Sequence, residues 1–253
     1  MYSLSKTLGG DTNARTGFNL NWAAAMKRAG MWATLTVVVG VVLVVVITWL
    51  VVLASPHQSA LSSKADGTIV IGGRTYNHVT LDMATYPDSL FGGRGSGGAH
   101  PDWVSFSSDN LVVPANSAVT VTVSQYDTGG KPNNPYFAKV VGTVGGTETV
   151  DGATVSSVPV NDVGHTFTLR AIAGNAPSLY LNVPLPAVSQ SAPSVLRIGH
   201  GSYPQPRMVT FTFITSGQGV YFWNCEYPCG DSVVGFGGAM STYGYMSGTL
   251  TVK

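Results

Sequence analysis

Both cysteines of the chain fall in one twelve-residue segment, Gly219-Val220-Tyr221-Phe222-Trp223-Asn224-Cys225-Glu226-Tyr227-Pro228-Cys229-Gly230. Two thiols so close in sequence have two chemistries open to them. In an oxidising compartment they can close a short-loop disulfide; reduced, they are soft sulfur donors for a metal ion. Upstream lies Gly164-His165-Thr166-Phe167-Thr168, where an imidazole could be a ligand or simply a hydrogen-bonded group at a strand start. Downstream, Met246 opens Met246-Ser247-Gly248-Thr249-Leu250-Thr251-Val252. Nothing else assembles into recognisable chemistry. Asp162, Glu226 and Asp231 form no visible acid–base pair, and no Ser/His/Asp arrangement is legible. The glycine-rich Phe91–Ala99 has the composition of a phosphate loop, but no Lys-Ser/Thr follows and no helical pattern begins there. His57, His78 and His100 are scattered and carry no assigned role.

The elements around these residues read as short strands. Ala118–Val123 is AVTVTV, a strict alternation of apolar and polar residues, introduced by the turn Pro114-Ala115-Asn116-Ser117. Thr68–Ile71, Val79–Met83, Thr166–Ile172, Leu179–Val183, Met208–Thr215 and Gly248–Val252 carry the same β-branched and aromatic signals. Ser216-Gly217-Gln218-Gly219 makes a tight turn between Met208–Thr215 and Val220–Asn224, so the two should run antiparallel as a hairpin. That pairing would bring the residues before Met208, His200 among them, to the end of the strand that carries Cys225. Many short strands at this spacing point to an all-β sandwich. Asp127–Pro159, rich in Gly, Asn and Thr, reads as an insertion between strands.

Four pieces of this pattern resemble the cupredoxins, and most of all the copper A domain of subunit II of haem-copper oxidases. They are Pro-Ala-x-Ser-x-Val at Pro114–Val119, Gly-His-Thr-Phe-Thr at His165, Gly-x-Tyr-x-x-x-Cys-x-x-x-Cys-Gly at Gly219–Gly230, and Met-x-Gly-x-Leu-x-Val at Met246–Val252. The resemblance implies a cupredoxin-like Greek-key β-sandwich over residues 106–253. It also implies copper as cofactor, with His165, Cys225, Cys229 and Met246 as ligands. The family's loop histidine has no counterpart: Cys229 is followed four residues later by Val233, Tyr243 stands three before Met246, and no histidine occurs after His200. His200 is therefore the candidate substitute ligand.

One segment is of another kind. From Met31 to Ala54 the chain has 24 residues without a charge, enough to cross about 30 Å of hydrocarbon as a helix. Trp32 and Trp49 stand near its ends, and Lys27 and Arg28 precede it. The positive-inside rule then places the N-terminus in the cytoplasm and everything beyond Ser55 outside. A cleaved signal peptide is the alternative, but the apolar region of a signal usually runs only about 7–15 residues. The expected organisation is a cytoplasmic segment 1–30, a transmembrane helix 31–54, a tether 55–68, an extension 69–105 and the sandwich 106–253.

Composition narrows the function. Thirteen basic residues balance 12 acidic ones, so no global field draws in nucleic acid, and only 10% of residues are charged. So few ionisable groups make the exported surface insensitive to acid, which suits an acidic exterior. With the resemblance, this describes a single-pass cell-membrane subunit that transfers electrons in or near a respiratory oxidase. Its partners would be the lipid bilayer, other subunits of the complex and a soluble redox protein, and it would have no catalytic activity of its own. A metal-free structural subunit braced by a Cys225–Cys229 disulfide and a copper-delivery protein are the other readings. The topology is checked by adding protease to intact cells: residues beyond Ser55 should be digested and the N-terminus protected, and the reverse pattern would invert it.

Overall fold

The computed structural model describes residues 33–47, 60–88, 100–129, 134–172, 174, 176–198, 201–229 and 238–253. The chain divides into two units, Met1–Ser55 and Pro56–Lys253. In the first, residues 33–47 form a helix (α1) with every side chain exposed. Among the described residues no helix is long and apolar enough to cross a membrane. The ends of the 31–54 run, where the transmembrane helix was expected to extend, lie outside them.

The second unit is β-structure almost throughout. Its strands are β1 (Leu61–Ser62), β2 (Lys64–Ile71), β3 (Arg74–Tyr86), β4 (Ser105–Phe106), β5 (Asn110–Val113), β6 (Ser117–Gln125), β7 (Glu148–Val150), β8 (Ala153–Val155), β9 (Val163–Ala171), β10 (Tyr180–Pro186), β11 (Ser194–Ile198), β12 (Gly201–Pro204), β13 (Arg207–Ile214), β14 (Gly219–Asn224) and β15 (Ser247–Val252). One short helix, α2 (Gly238–Ser241), precedes β15. Two sheets hold most of them: a six-stranded sheet in the order β1-β5-β15-β14-β9-β10, and a seven-stranded sheet in the order β2-β3-β6-β13-β7-β8 with β4 paired to β3; β11 and β12 pair separately.

The period-two alternation produces the sandwich. In β6, Val119, Val121 and Val123 are fully buried, while Thr120 and Thr122 turn outward. β13 pairs with it in register, Phe211 opposite Val121 and Phe213 opposite Val119. On the outer face the threonines bond across the same strands, Thr120 to Thr212 at 2.8 Å and Thr122 to Thr210 at 3.2 Å. The six-stranded sheet contributes Phe167, Leu169, Tyr221, Trp223 and Leu250 to the same apolar core. Trp223 is its centre, edge-on to Phe106 with ring centroids 4.9 Å apart and stacked on Phe167 at 5.5 Å.

Three expectations need correction. Residues 61–71 form β1 and β2, so the tether expected to run to residue 68 is already sheet, and the extension 69–105 supplies β3, the neighbour of β6. Residues 134–159 belong to the sandwich: β7 extends the sheet beside β13, and Ala138, Val140 and Val158 are buried. That segment also satisfies buried Asn182, whose amide donates to the carbonyls of Phe137 and Lys139. Finally, β13 and β14 are not a hairpin. β13 pairs with β6 and β7, β14 with β15 and β9, so the turn at 216–218 carries the chain from one sheet to the other. Both strands present bulky rings inward, and each ring set needs the opposite sheet to cover it.

Among the buried polar groups without a hydrogen-bond partner in the described residues, one is a carboxyl group. Glu148 is 2% exposed and neither carboxylate oxygen has a hydrogen bond. Burial pushes its pKa up to about 8. The folded domain therefore holds a proton there that the unfolded chain releases above about pH 4.5. Stability should fall as pH rises from about 4.5 to about 8, by on the order of a few kcal/mol. Denaturant midpoints across that range should show the wild type more stable at pH 5 than at pH 8. Glu148→Gln should gain on it steadily with rising pH, and parallel profiles would refute the assignment.

Candidate metal centre

Four chain segments meet at one end of the sandwich: the end of β6, the start of β9, the end of β14 and the start of β15. The ladder sets them. Asn224 pairs with Thr168 on one side and Ser247 on the other, so Cys225 leaves the sheet between β9 and β15. Its N–H donates to Met246 O at 2.8 Å. Met246 N–H in turn donates to Ala239 O at 3.0 Å, and Ala239 N–H to Cys229 O at 2.9 Å. A circuit of backbone bonds thus ties Cys225, Met246, α2 and Cys229 together. Glu226 N–H donates to Thr166 Oγ1 at 2.9 Å and fixes the loop to β9.

Inside the circuit the chemistry-bearing side chains touch. His165 Nδ1 lies 3.1 Å from Cys229 Sγ and 3.7 Å from Cys225 Sγ. Cys229 Sγ donates to Cys225 Sγ across 3.2 Å, and both cysteines are free thiols rather than a disulfide. Cys225 Sγ also accepts from the N–H groups of Thr166 and Tyr227, at 3.4 and 3.5 Å. All three residues are buried, and their donor atoms fall within 4.8 Å of one another. Met246 is fully buried and joined to Cys225 through the backbone. His200 lies outside the described residues, as do Asp231 and Val233.

A fourth group, absent from the sequence reading, completes the cluster. Asp127, two residues past β6, accepts from His165 Nε2 at 2.7 Å and from Gly129 N–H at 2.9 Å through the same oxygen, Oδ2. Gly129 has φ 63°, and a Cβ there would collide with the backbone of Gly164. Asp127 sits 38 residues before His165, in a stretch that reads as a loop, and no local motif marks it.

Charge is distributed unequally between the sulfurs. Burial alone would raise the Cys225 pKa, but hydrogen bonds from Cys229 and His165, the imidazolium charge and the Thr166 N–H hold it well below the usual thiol range. Cys229 is pushed the other way, first by its hydrogen bond to that thiolate and then by burial. For His165 burial is likewise outweighed, by the hydrogen bonds to Asp127 and Cys225 and by their charges, and its pKa rises to about 10. Asp127 is held low, since the His165 hydrogen bond and charge and two backbone N–H groups overcome its burial. Metal-free, the centre is a thiol, a thiolate, an imidazolium and a carboxylate in contact.

The donor set fits one soft ion. A circle through the three donor atoms has a radius of roughly 1.9 Å. That spacing is compatible with one ion held by all three at the roughly 2.0–2.3 Å of metal–nitrogen and metal–sulfur bonds. Binding would displace the Cys229 proton and the proton on His165 Nδ1. Fold and site together define an all-β domain built around a buried His/Cys/Cys cluster able to take a soft metal.

No family model and no curated protein matches the chain. Solved structures similar to it include auracyanin B, at 16% identity and a TM-score of 0.31, with 75% of this chain and 98% of that chain covered. Rusticyanin from Thiobacillus ferrooxidans is similar at 14% identity and a TM-score of 0.31, covering 75% and 88%. A laccase from Pediococcus acidilactici is similar at 10% identity and a TM-score of 0.33, covering 78% of this chain but 30% of the laccase. TM-scores near 0.3 leave the centre to be read from its own atoms.

The unequal sulfurs can be seen directly. The metal-free protein at neutral pH should absorb near 240 nm as one thiolate per chain. Cys225→Ser should remove that absorbance and Cys229→Ser should keep it, since serine can still donate to Cys225. Equal loss in both variants would contradict the assignment.

Proposed function

We propose that residues 56–253 form a copper-binding, cupredoxin-like electron-transfer domain. It is anchored outside the cytoplasmic membrane by the 31–54 run and works as a subunit II-like part of a respiratory oxidase. The observation that carries this reading is the buried triangle of His165, Cys225 and Cys229. Thiolate and imidazole together select copper or zinc over magnesium or calcium, and copper(II) lies above zinc in affinity for such a site. Copper bound there would supply a one-electron couple. The chain's part is rigidity. Cys225 is held through its own N–H and by two N–H groups on its sulfur, Cys229 through its carbonyl, and His165 on a paired strand. Ligands so fixed change little between oxidation states, which lowers the cost of electron transfer.

The four residues Lys6, Arg15, Lys27 and Arg28 against Asp11, before an apolar run, support the anchor and its orientation. The cupredoxin resemblance at Gly219–Gly230 and Met246–Val252 supports the oxidase context. Lipid, neighbouring subunits and a soluble redox protein are then the partners.

The test uses the full chain in detergent, loaded with copper. About one copper per chain should bind, with a sulfur-to-copper charge-transfer band and a copper(II) spin-resonance signal, both lost in Cys225→Ser and Cys229→Ser. A protein that keeps two free thiols and takes up no copper would refute the reading. Copper bound only as a colourless Cu(I) ion that passes to an acceptor would indicate delivery instead.

A further inference from the structure

We propose that Asp127 is the positioning residue of the centre: its carboxylate holds the His165 ring so that Nδ1, and not Nε2, faces Cys225 and Cys229. The inference rests on the copper-binding reading above, and adds to it a residue that no ligand motif contains.

Three observations carry it. An imidazole has two nitrogens, and whichever is bound to a fixed acceptor leaves the other for the metal. Here Nε2 is bound to Asp127 at 2.7 Å. That acceptor is itself fixed. Asp127 Oδ2 takes the Gly129 N–H, while Asp127 O accepts from Gln125 Nε2 at 3.2 Å and from Val188 N–H at 3.0 Å. Lastly, the backbone beside the pair is closely packed: Gly129 is pressed against Gly164, and a Cβ on Gly164 would itself crowd Ala187 and the Gln125 amide. The loop that carries the carboxylate is thus packed directly against the strand that carries the ring.

Two consequences follow. A ring bonded through Nδ1 keeps its proton on Nε2, where Asp127 accepts it, so the ligand arrives in the correct tautomer. The carboxylate also adds negative charge next to the ring, which strengthens it as a donor and favours the more positive oxidation state of the ion. Asp127 thus sets both the geometry of the nitrogen ligand and the redox balance of the metal it holds.

The experiment compares the full-length wild type with Asp127→Asn and Asp127→Ala. Asparagine keeps an acceptor oxygen and removes the charge; alanine removes both. Asp127→Ala should bind copper about 10–100-fold more weakly and alter the nitrogen hyperfine coupling in the spin-resonance spectrum. Asp127→Asn should restore most of the affinity and the coupling, yet raise the reduction potential above the wild type. Wild-type affinity, coupling and potential in a folded Asp127→Ala protein would overturn the proposal. Should the wild type take up no copper, the copper reading fails by itself, and the positioning is then read in the metal-free chain. With 15N-labelled histidine, His165 should show an Nε2 proton shifted far downfield by its carboxylate bond, absent in Asp127→Ala. A wild-type spectrum without that proton would refute it.

Discussion

Ionisable side chains can remain at the bottom of an apolar sandwich only while they satisfy one another. Desolvation by itself would neutralise Cys225 and Asp127 and strip the proton from His165. In the folded domain the three hold their charges because they are in series: thiolate, imidazolium, carboxylate, with His165 Nε2 2.7 Å from Asp127 and Nδ1 3.7 Å from Cys225. The imidazolium in the middle is the counter-charge of both anions, so removing His165 would leave a carboxylate and a thiolate without one, a far larger penalty than the loss of one hydrogen bond. Bringing these groups together is the constraint under which the rest of the domain is built.

The two sheets meet that constraint by delivering the members from opposite layers. Asp127 follows β6 of the seven-stranded sheet, while His165 and Cys225 come from β9 and β14 of the six-stranded one. Contact between Asp127 and His165 therefore depends on the thickness of the core at that end. Trp223 and Phe167 stand two residues from Cys225 and His165, and their rings pack on each other and on Phe106 in the core beneath the site. A change of core volume near Phe167 is therefore felt at the ring of His165, two residues along the same strand.

How much of this the sequence reveals depends on the source of each element's order. Strands whose side chains alternate between core and solvent are legible, and the ends of β6 and β13 fall within two residues of the segments read from AVTVTV and MVTFTFIT. Only the second half of β2 is legible, at Thr68–Ile71, because Lys64-Ala65-Asp66-Gly67 is polar, exposed and held by backbone pairing to β3 rather than by burial. β7 and β8 are three residues each, too short for a period to show. The supposed hairpin of β13 and β14 fails for a different reason: a tight turn is equally able to close a hairpin or to cross between layers. Only the need to bury Phe211 and Phe213 against Tyr221 and Trp223 decides it. At the site, the two cysteines and His165 stand out because their residue types are rare in this chain. Asp127 does not, since its role comes wholly from where β6 ends in space.

Glu148 shows what the same chemistry does without a partner. Like Asp127 it is a carboxyl group on the seven-stranded sheet's side of the molecule, but no cation reaches it, and its pKa moves up to about 8 where that of Asp127 moves down. The fold thus contains one carboxylate kept charged by a cation and one carboxyl kept neutral by solitude. Protonation of Glu148 favours the folded state as pH falls, and Asp127 resists losing its charge over the same range. The two are opposed in their effect on stability: Glu148 contributes more as pH falls, whereas a carboxyl group held low, like Asp127, contributes stability that is lost once acid protonates it. The neighbours of a carboxyl group, and not its burial alone, therefore decide which way acid moves the stability of this domain.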